Sequence, residues 1–182
     1  MSAMTTLHLP PAVEGWTVDD LDDLPEGLHY ELVDGVLHVS PPAPLPHNAA
    51  ATELAVLLHP VIGSEWRVIA PAGVVFDRRN VREPDLIVLR RVGARAKNAR
   101  PADVLLAVEV MSPSSRTNDR LVKPAQYAAA GIPHYWRLEP AEPVLVTHVL
   151  EDDVYRETGR FTDEAVIEEP VAVRFRLADL LA

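Results

Sequence analysis

Two nearly continuous apolar runs, residues 86–89 and 105–111, place the strongest constraint on the fold of this chain. A strand that is covered on both faces needs apolar side chains at successive positions, whereas a strand with one wet face alternates. The two runs are therefore predicted to be buried central strands. Glu109 interrupts the second run, and an unpaired carboxylate would be costly to bury there. A compensating partner for Glu109 is expected.

Turn and periodicity signals place other elements around these strands. Asp34-Gly35 lies between two apolar segments and suits the positive φ angles of a two-residue turn, so residues 30–33 and 36–39 are predicted to form a hairpin. Helices are expected after Thr17 and at 47–58 and 117–130, further strands at 66–70, 73–76, 134–138, 144–150, 154–157 and 171–175, and a helical turn at 177–181.

The length of 182 residues fits one domain with a hydrophobic core of its own. Residues 1–15, rich in proline and small polar types, are expected to form a flexible arm before a single domain of residues 16–182. Without cysteine the chain has no disulfide, thiolate zinc site or cysteine nucleophile. No apolar run approaches the roughly 20 residues that span a bilayer, and no leader pattern opens the sequence, so a cytoplasmic protein is expected.

The formal net charge of −10 disfavours a polyanionic partner, because a negative field repels phosphates. The charge is uneven along the chain, however. Eight of the 17 basic residues lie close together, namely Arg78, Arg79, Arg82, Arg90, Arg91, Arg95, Lys97 and Arg100. The sequence leaves two readings of this stretch open, a solvated loop and a phosphate-binding surface.

A second carboxylate stands next to the first apolar run. Asp85 follows Pro84 at the mouth of that predicted strand, so it would meet Glu109 if the two strands pair. Two carboxylates, with a backbone carbonyl such as that of Val110, are what a hard divalent cation requires. The alternative is that Glu109 pairs with a buried arginine and that Asp85 only begins a strand.

The predicted helix after Glu109 carries a candidate cation. Asp119, Lys123 and Tyr127 recur at intervals of four, so they share one helical face and Lys123 points back towards the carboxylates. Pro124 favours a position near the helix start for Lys123, because proline is disruptive inside a helix. An exposed Lys123 paired with Asp119 is the alternative.

Several segments, in order from about Trp16 to Pro140, resemble the family named "putative restriction endonuclease domain", which belongs to the PD-(D/E)XK nuclease superfamily. The segments are Tyr30-Glu31-Leu32-Val33-Asp34-Gly35, Glu83-Pro84-Asp85-Leu86, Val108-Glu109-Val110-Met111-Ser112-Pro113-Ser114, and the set Asp119, Lys123, Tyr127, Gly131-Ile132 and Tyr135-Trp136.

The resemblance implies an α/β fold, a restriction-endonuclease-like core with a central mixed β-sheet flanked by α-helices. It implies Mg²⁺, with Mn²⁺ as a substitute, between Asp85 and Glu109. The superfamily lysine lies two residues after that glutamate, where this sequence has Met111. In the family a helical lysine takes its place, which maps onto Lys123, and Glu31 matches an upstream glutamate counted with the active site.

The reaction implied by the resemblance is hydrolysis of a DNA phosphodiester bond. The metal would lower the pKa of a bound water, and Lys123 would orient or activate that water. His47 matches a frequent family histidine whose role the sequence does not give. DNA is the expected partner, and a homodimer is expected because it could cut both strands.

Two other functions remain open. The fold could serve as a nucleic-acid-binding or interaction module with a degraded site, which metal binding without cleavage would favour. It could also hydrolyse another phosphate ester, which would show as activity on small phosphodiesters but not on DNA. Classical hydrolases are disfavoured, because the sequence has no Gly-x-Ser-x-Gly elbow and no phosphate loop, and serine catalysis is not expected.

Overall fold

The computed structural model describes residues 15–91, 97–112 and 118–181, apart from the side chains of Asn118 and Asp119. The strands are β1 (His29–Val33), β2 (Val36–Ser40), β3 (Trp66–Ile69), β4 (Val74–Asp77), β5 (Asn80–Arg82), β6 (Leu86–Arg90), β7 (Val104–Val110), β8 (His134–Glu139), β9 (Val144–Glu151), β10 (Val154–Phe161), β11 (Glu164–Ile167) and β12 (Val173–Arg176). The helices are α1 (Leu45–Leu58), α2 (Lys123–Ala129) and α3 (Leu177–Leu180), with 3₁₀ turns at Val18–Asp23 and Pro101–Asp103 and a π-helical turn at Asn118–Val122.

Six strands form the central sheet in the order β10-β9-β8-β7-β6-β3. Strands β7 and β8 run parallel, and the other neighbouring pairs are antiparallel. A parallel pair needs a crossover connection, and the π-helical turn followed by α2 lies in that connection. The expected α/β fold with a mixed central sheet is confirmed.

The two apolar runs form the adjacent strands β6 and β7, and both faces of these strands are covered. One face packs on α1, where Leu54 and Leu58 are fully buried. The other face includes Ala107, which belongs to the same cluster as Tyr127 of α2. Because side chains alternate along a strand, Glu109 lies on the same face as Ala107 and therefore on the α2 side.

A smaller antiparallel sheet has the order β2-β1-β5-β4 and contains the predicted hairpin. Asp34 and Gly35 both have positive φ angles, 51° and 77°, as the two-residue turn requires. Strand β1 pairs with β5 through Leu32 and Val81. This pairing brings Glu31 beside β5, at the segment that leads into the central sheet.

The largest differences from the predicted elements concern two strands and one helix. Strands β5 and β11 were not predicted, because segments of three and four residues are too short to establish a period. The helix expected over 117–130 is α-helical only from Lys123, after a π-helical turn. Pro124 explains this boundary, because a proline without an N–H fits the first turn of a helix.

The N-terminal helix is a six-residue 3₁₀ helix with Thr17 at its N-cap, as expected. The Asp20 carboxylate accepts hydrogen bonds from the Thr17 backbone N–H and hydroxyl at 2.7 and 2.6 Å, which closes the turn. The predicted arm of residues 1–15 lies outside the described residues except for Gly15. Among the described helices, none is both long and apolar enough to cross a membrane.

Candidate active site

A cleft of about 710 Å³ opens where β6 begins and β7 ends, and it contains all four side chains predicted to be catalytic. Leu86 pairs with Val108 in the antiparallel β6–β7 ladder, so Asp85 and Glu109 are neighbours where β6 begins and β7 ends. The lining side chains that the sequence singled out are Glu31, His47, Asp85, Glu109 and Lys123.

Asp85 is fixed by two contacts at the cleft floor. Its Oδ2 accepts a hydrogen bond from the Val110 backbone N–H at 2.7 Å and lies 3.3 Å from His47 Nε2. Burial opposes protonation of His47, but the hydrogen bond and charge of Asp85 outweigh burial and raise the pKa of the imidazole. His47 Nδ1 is buried without a hydrogen-bond partner in the described part of the chain.

Glu109 has the compensation that its burial requires. Its side chain is 2% exposed, with Oε2 at 2.9 Å from Lys123 Nζ and Oε1 accepting a hydrogen bond from the Tyr127 hydroxyl at 2.5 Å. Burial, and then the charge of Glu109, raise the pKa of Tyr127 far above its ordinary value, so the phenol stays a donor. Among the residues that the structure describes, the cation beside Glu109 is a lysine, Lys123.

Glu31, on strand β1 of the small sheet, contacts other residues at the bottom of the cleft. Its Oε1 accepts the Glu83 backbone N–H at 3.0 Å and lies 3.4 Å from Lys123 Nζ, while Oε2 accepts a bond from Arg82 Nη1 at 2.9 Å. Burial raises the pKa of Glu31, but the charges of Lys123 and Arg82 and the bond from Glu83 outweigh it, and the net pKa is lowered. Arg82 Nε also donates to Gln126 Oε1 at 2.7 Å, which ties β5 to α2.

Lys123 reaches both glutamates because it is the first residue of α2. The spacing of four along the helix places Tyr127 on the same side, also against Glu109. The alternative of an exposed Lys123 is wrong, because the Lys123 side chain is 10% exposed. The Asp119 side chain, its partner in that alternative, lies outside the described residues. The structure therefore brings Glu31, Glu109 and Lys123 together in one hydrogen-bonded cluster.

Comparison with known proteins places the chain in a family. The family model described as "Uma2: Putative restriction endonuclease" matches residues 18–179, nearly the whole chain. The chain belongs to the Uma2 family. The expected family relationship is confirmed, and it makes this chain a member of a nuclease family.

A solved structure supports the fold of this Uma2 member. The crystal structure described as that of "a putative nuclease belonging to DUF820" from Anabaena variabilis has a TM-score of 0.69 and 18% sequence identity. The match covers 91% of this chain and 97% of that chain. No curated protein matches the sequence. The likeness at this identity concerns the fold, a restriction-endonuclease-like core.

The donor chemistry of the Uma2 site fits a divalent cation, although the described residues contain no group of three His, Asp or Glu side chains with metal-site geometry. Four carboxylates line the cleft, those of Glu31, Glu83, Asp85 and Glu109. Two cations, Lys123 and the buried Arg82, face this group. The other two carboxylates have histidine partners, His29 beside Glu83 and His47 beside Asp85. The carboxylate oxygens are hard ligands of the kind that a divalent cation prefers.

The basic stretch between Arg78 and Arg100 is largely engaged within the protein. Arg82 is 3% exposed and bound to Glu31, Lys97 pairs with Asp22, and Arg90 stacks 4.8 Å from the centre of the Trp66 ring. Arg95 lies outside the described residues. Among the lysines and arginines that the structure describes, Lys123 alone lines the cleft.

The prediction from sequence did not place Arg82, Gln126 and Tyr127 in this cluster. It counted Arg82 with the exposed basic residues, left the role of Tyr127 open and did not consider Gln126. A signal for Gln126 existed, because Lys123, Gln126 and Tyr127 share one helical face. The buried position of Arg82 had no such local signal, since it depends on the pairing of β1 with β5.

Proposed function

We propose that this Uma2-family protein is a metal-dependent endonuclease that hydrolyses phosphodiester bonds of DNA, with Mg²⁺ as the natural ion and Mn²⁺ as a substitute. The observation that carries the proposal is the convergence of Glu31, Asp85, Glu109 and Lys123 on one cleft, in a chain of a nuclease family. The Asp85–Glu109 pair and the four carboxylates of the cleft support the choice of a divalent cation.

In this proposal Asp85 and Glu109, with the carbonyl of Val110, hold the ion. A bound Mg²⁺ would supply a water of lowered pKa and positive charge for the phosphate. The hydrogen bond from the Val110 N–H keeps Asp85 turned into the cleft. Tyr127 orients Glu109 in the same way, because its hydroxyl donates to Oε1.

Lys123 acts on the reacting atoms in this proposal. Its ammonium has three donors, and the two glutamates that it contacts fix its position at the cleft floor. A donor in this place can orient the attacking water and offset negative charge on the phosphate oxygens. Glu31 is then a positioning residue, because it acts by holding Lys123.

A second candidate function is a binding module that takes up metal and nucleic acid without cleaving. Two observations favour it. Both oxygens of Glu109 are already hydrogen-bonded by Lys123 and Tyr127, and the position two residues after Glu109 holds a methionine, Met111. In this case the cluster would stabilise the fold and the cleft would only bind.

The test is nicking of supercoiled plasmid and of circular single-stranded DNA with Mg²⁺, Mn²⁺ or EDTA. Asp85→Asn is the variant, and Asp23→Asn, an exposed carboxylate away from the cleft, is the matched control. Metal-dependent cleavage by the wild type and Asp23→Asn, lost in Asp85→Asn, supports the nuclease. Metal binding with intact DNA in every sample supports the binding module instead.

A homodimer is part of the proposal, since two copies carry two clefts and can act on both strands of a duplex. Sedimentation of the same preparation tests it. A particle with twice the chain mass of 20.0 kDa is the expected result, and a particle with the mass of one chain contradicts it.

A further inference from the structure

The acidic residues at the bottom of the cleft, and Lys123 beside them, are largely shielded from solvent. The exposed fraction of the side chain is 2% for Glu109, 10% for Lys123, 17% for Glu31 and 22% for Asp85. A phosphodiester group that reacts at these residues must descend into the cleft. A duplex resists this, because its phosphates lie on a stiff helix and opening it means unstacking and unpairing bases.

Four exposed prolines lie at the mouth of the cleft, together with the exposed Ser40, Asn48 and Thr52. Pro41, Pro42 and Pro44 lie between β2 and α1, and Pro71 follows β3, and all four are exposed. A proline ring offers apolar surface and no backbone N–H. The proline side chains suit contact with a sugar or a base and supply no donor for a phosphate.

The charges of the cleft disfavour a long run of phosphate contacts. Four carboxylates line it, and Lys123 is the one lysine or arginine in the described part of the chain that does so. A protein that binds duplex DNA through its backbone commonly neutralises about 6–10 phosphates with lysine and arginine. The described lining residues provide one lysine or arginine, and therefore about one such contact.

We propose that the cleft takes one or two nucleotides of a single strand, with one phosphate at the Lys123 floor and the sugar or base against the proline mouth. The inference rests on the proposed nuclease function and names the form of its substrate. Each cleft then handles one strand, and duplex DNA is a substrate only where it is opened or ends in a single-stranded tail.

The first test offers one labelled oligonucleotide as a single strand, as a blunt duplex and as a duplex with a single-stranded tail, with Mg²⁺ or Mn²⁺. The single strand and the tail should be cut at least about tenfold faster than the paired region, because unpairing costs a few kcal/mol. Equal or faster cleavage of the blunt duplex overturns the inference and leaves the nuclease function standing. Failure to cut any of the three overturns both.

The second test measures binding by fluorescence anisotropy across a series of salt concentrations, with Ca²⁺ in place of Mg²⁺ and the signal read before product forms. One or two phosphate contacts predict a slope of log K against log salt of about −0.7 to −1.4 for the single strand. A slope of about −5 or steeper, as six contacts to a duplex would give, overturns the inference.

The third test removes one ring of the mouth. Pro42→Ala should weaken single-strand binding several-fold at an unchanged salt slope, because the lost contact is apolar. Pro46→Ala is the matched control, an exposed proline four residues away that does not line the cleft. Equal binding by Pro42→Ala, Pro46→Ala and the wild type overturns the assignment of the mouth to sugar or base.

Discussion

Lys123 Nζ lies 2.9 Å from Glu109 Oε2, and the same ammonium lies 3.4 Å from Glu31 Oε1. One cation thus bridges a strand of the central sheet and a strand of the small sheet. The position two residues after Glu109 holds no cation, because it is the buried Met111. The position of the cation therefore depends on the start of α2.

Replacement of Lys123 should destabilise the protein strongly. In Lys123→Met a side chain of similar length remains, but the ion pair between Lys123 and Glu109 is lost at a glutamate that is 2% exposed. Removal of one partner of a buried ion pair lowers the free energy of unfolding by about 3–5 kcal/mol. Urea unfolding monitored by circular dichroism at neutral pH measures the loss.

The chain offers a matched control for this variant, its other lysine. Lys97 pairs with Asp22 at the surface, and its side chain is 66% exposed. Lys97→Met should lower the free energy of unfolding by less than about 1 kcal/mol, because solvent screens an exposed pair. Equal losses in the two variants would contradict the buried bridge.

Glu31 should make stability depend on pH in the acid range. Burial raises its pKa, but Lys123, Arg82 and the Glu83 N–H outweigh burial and hold the pKa below the ordinary 4.5. The unfolded chain then takes up this proton at higher pH than the folded one. The stabilisation is therefore complete above 4.5 and is lost as the pH falls through the lowered pKa.

The variant Glu31→Gln has no carboxylate to protonate at this position, so it lacks this pH-dependent stabilisation. Its free energy of unfolding should therefore fall less steeply with acid than that of the wild type. Urea unfolding over about pH 5 to 3 measures the slope. Glu53→Gln, on the exposed face of α1, is the control and should follow the wild type. Parallel profiles of Glu31→Gln and the wild type would show that Glu31 carries no such dependence.

The positions of the two metal-site candidates could be predicted from local patterns. Residues 86–89 and 105–111 are apolar enough to indicate central strands, and Asp85 and Glu109 stand at or near their ends. Adjacent antiparallel pairing of β6 and β7 then brings the two carboxylates together. Period and turn signals act over a few residues, which is why they also predicted the Asp34-Gly35 hairpin.

The contacts around Lys123 could not be predicted in this way. Arg82 meets Gln126 across 44 positions of the chain and Glu31 across 51. These contacts depend on β5, whose three residues have no clear periodicity, and on the docking of α2 against the sheet. An arginine in a basic stretch looks solvated in the sequence, and only the tertiary fold shows that Arg82 is buried.

The Tyr127 hydroxyl should orient the Glu109 carboxylate and should also contribute to the stability of the fold. Tyr127→Phe keeps the ring between Phe76 and Tyr135 but removes the donor to Oε1. The loss of this bond should lower the free energy of unfolding by about 1–3 kcal/mol. If Glu109 binds metal, its affinity should fall by about 10–100-fold, since such partners orient metal ligands.

Tyr155→Phe is the control that separates the effect of Tyr127→Phe on metal affinity from its effect on stability. Its hydroxyl donates to the Ile132 carbonyl, and the residue does not line the cleft. We expect a loss of stability without a change in metal affinity, measured by calorimetric titration with Mn²⁺. A similar fall of metal affinity in both variants would indicate a general effect of destabilisation.

A divalent cation should stabilise the folded chain if the cleft binds it. Binding to the folded state alone adds about 2.7 kcal/mol at a concentration one hundred times the Kd. Mg²⁺ should therefore raise the Tm of the wild type and of Asp23→Asn, and EDTA should reverse the rise. Asp85→Asn should show no rise, and a shift equal to that of the wild type would exclude Asp85 as a ligand.

Arg82 should contribute to stability through Glu31. Arg82 is 3% exposed, and its guanidinium bonds both the Glu31 carboxylate and the Gln126 amide. Arg82→Met leaves Glu31 with Lys123 as its remaining charged contact in this cluster, and the free energy of unfolding should fall by about 3 kcal/mol or more. Arg82→Lys keeps the charge but cannot reach both partners, so it should recover part of the loss.

A double-mutant cycle distinguishes this pairing from a simple packing role for Arg82. In Arg82→Met with Glu31→Gln neither charge of the pair remains, so the double variant should be more stable than the sum of the single changes predicts. The expected coupling is about 1–3 kcal/mol, as found for residues in one network. If the losses of unfolding free energy in the two single variants simply add, the Arg82 side chain acts by filling space. Packing alone would not depend on the charge of Glu31.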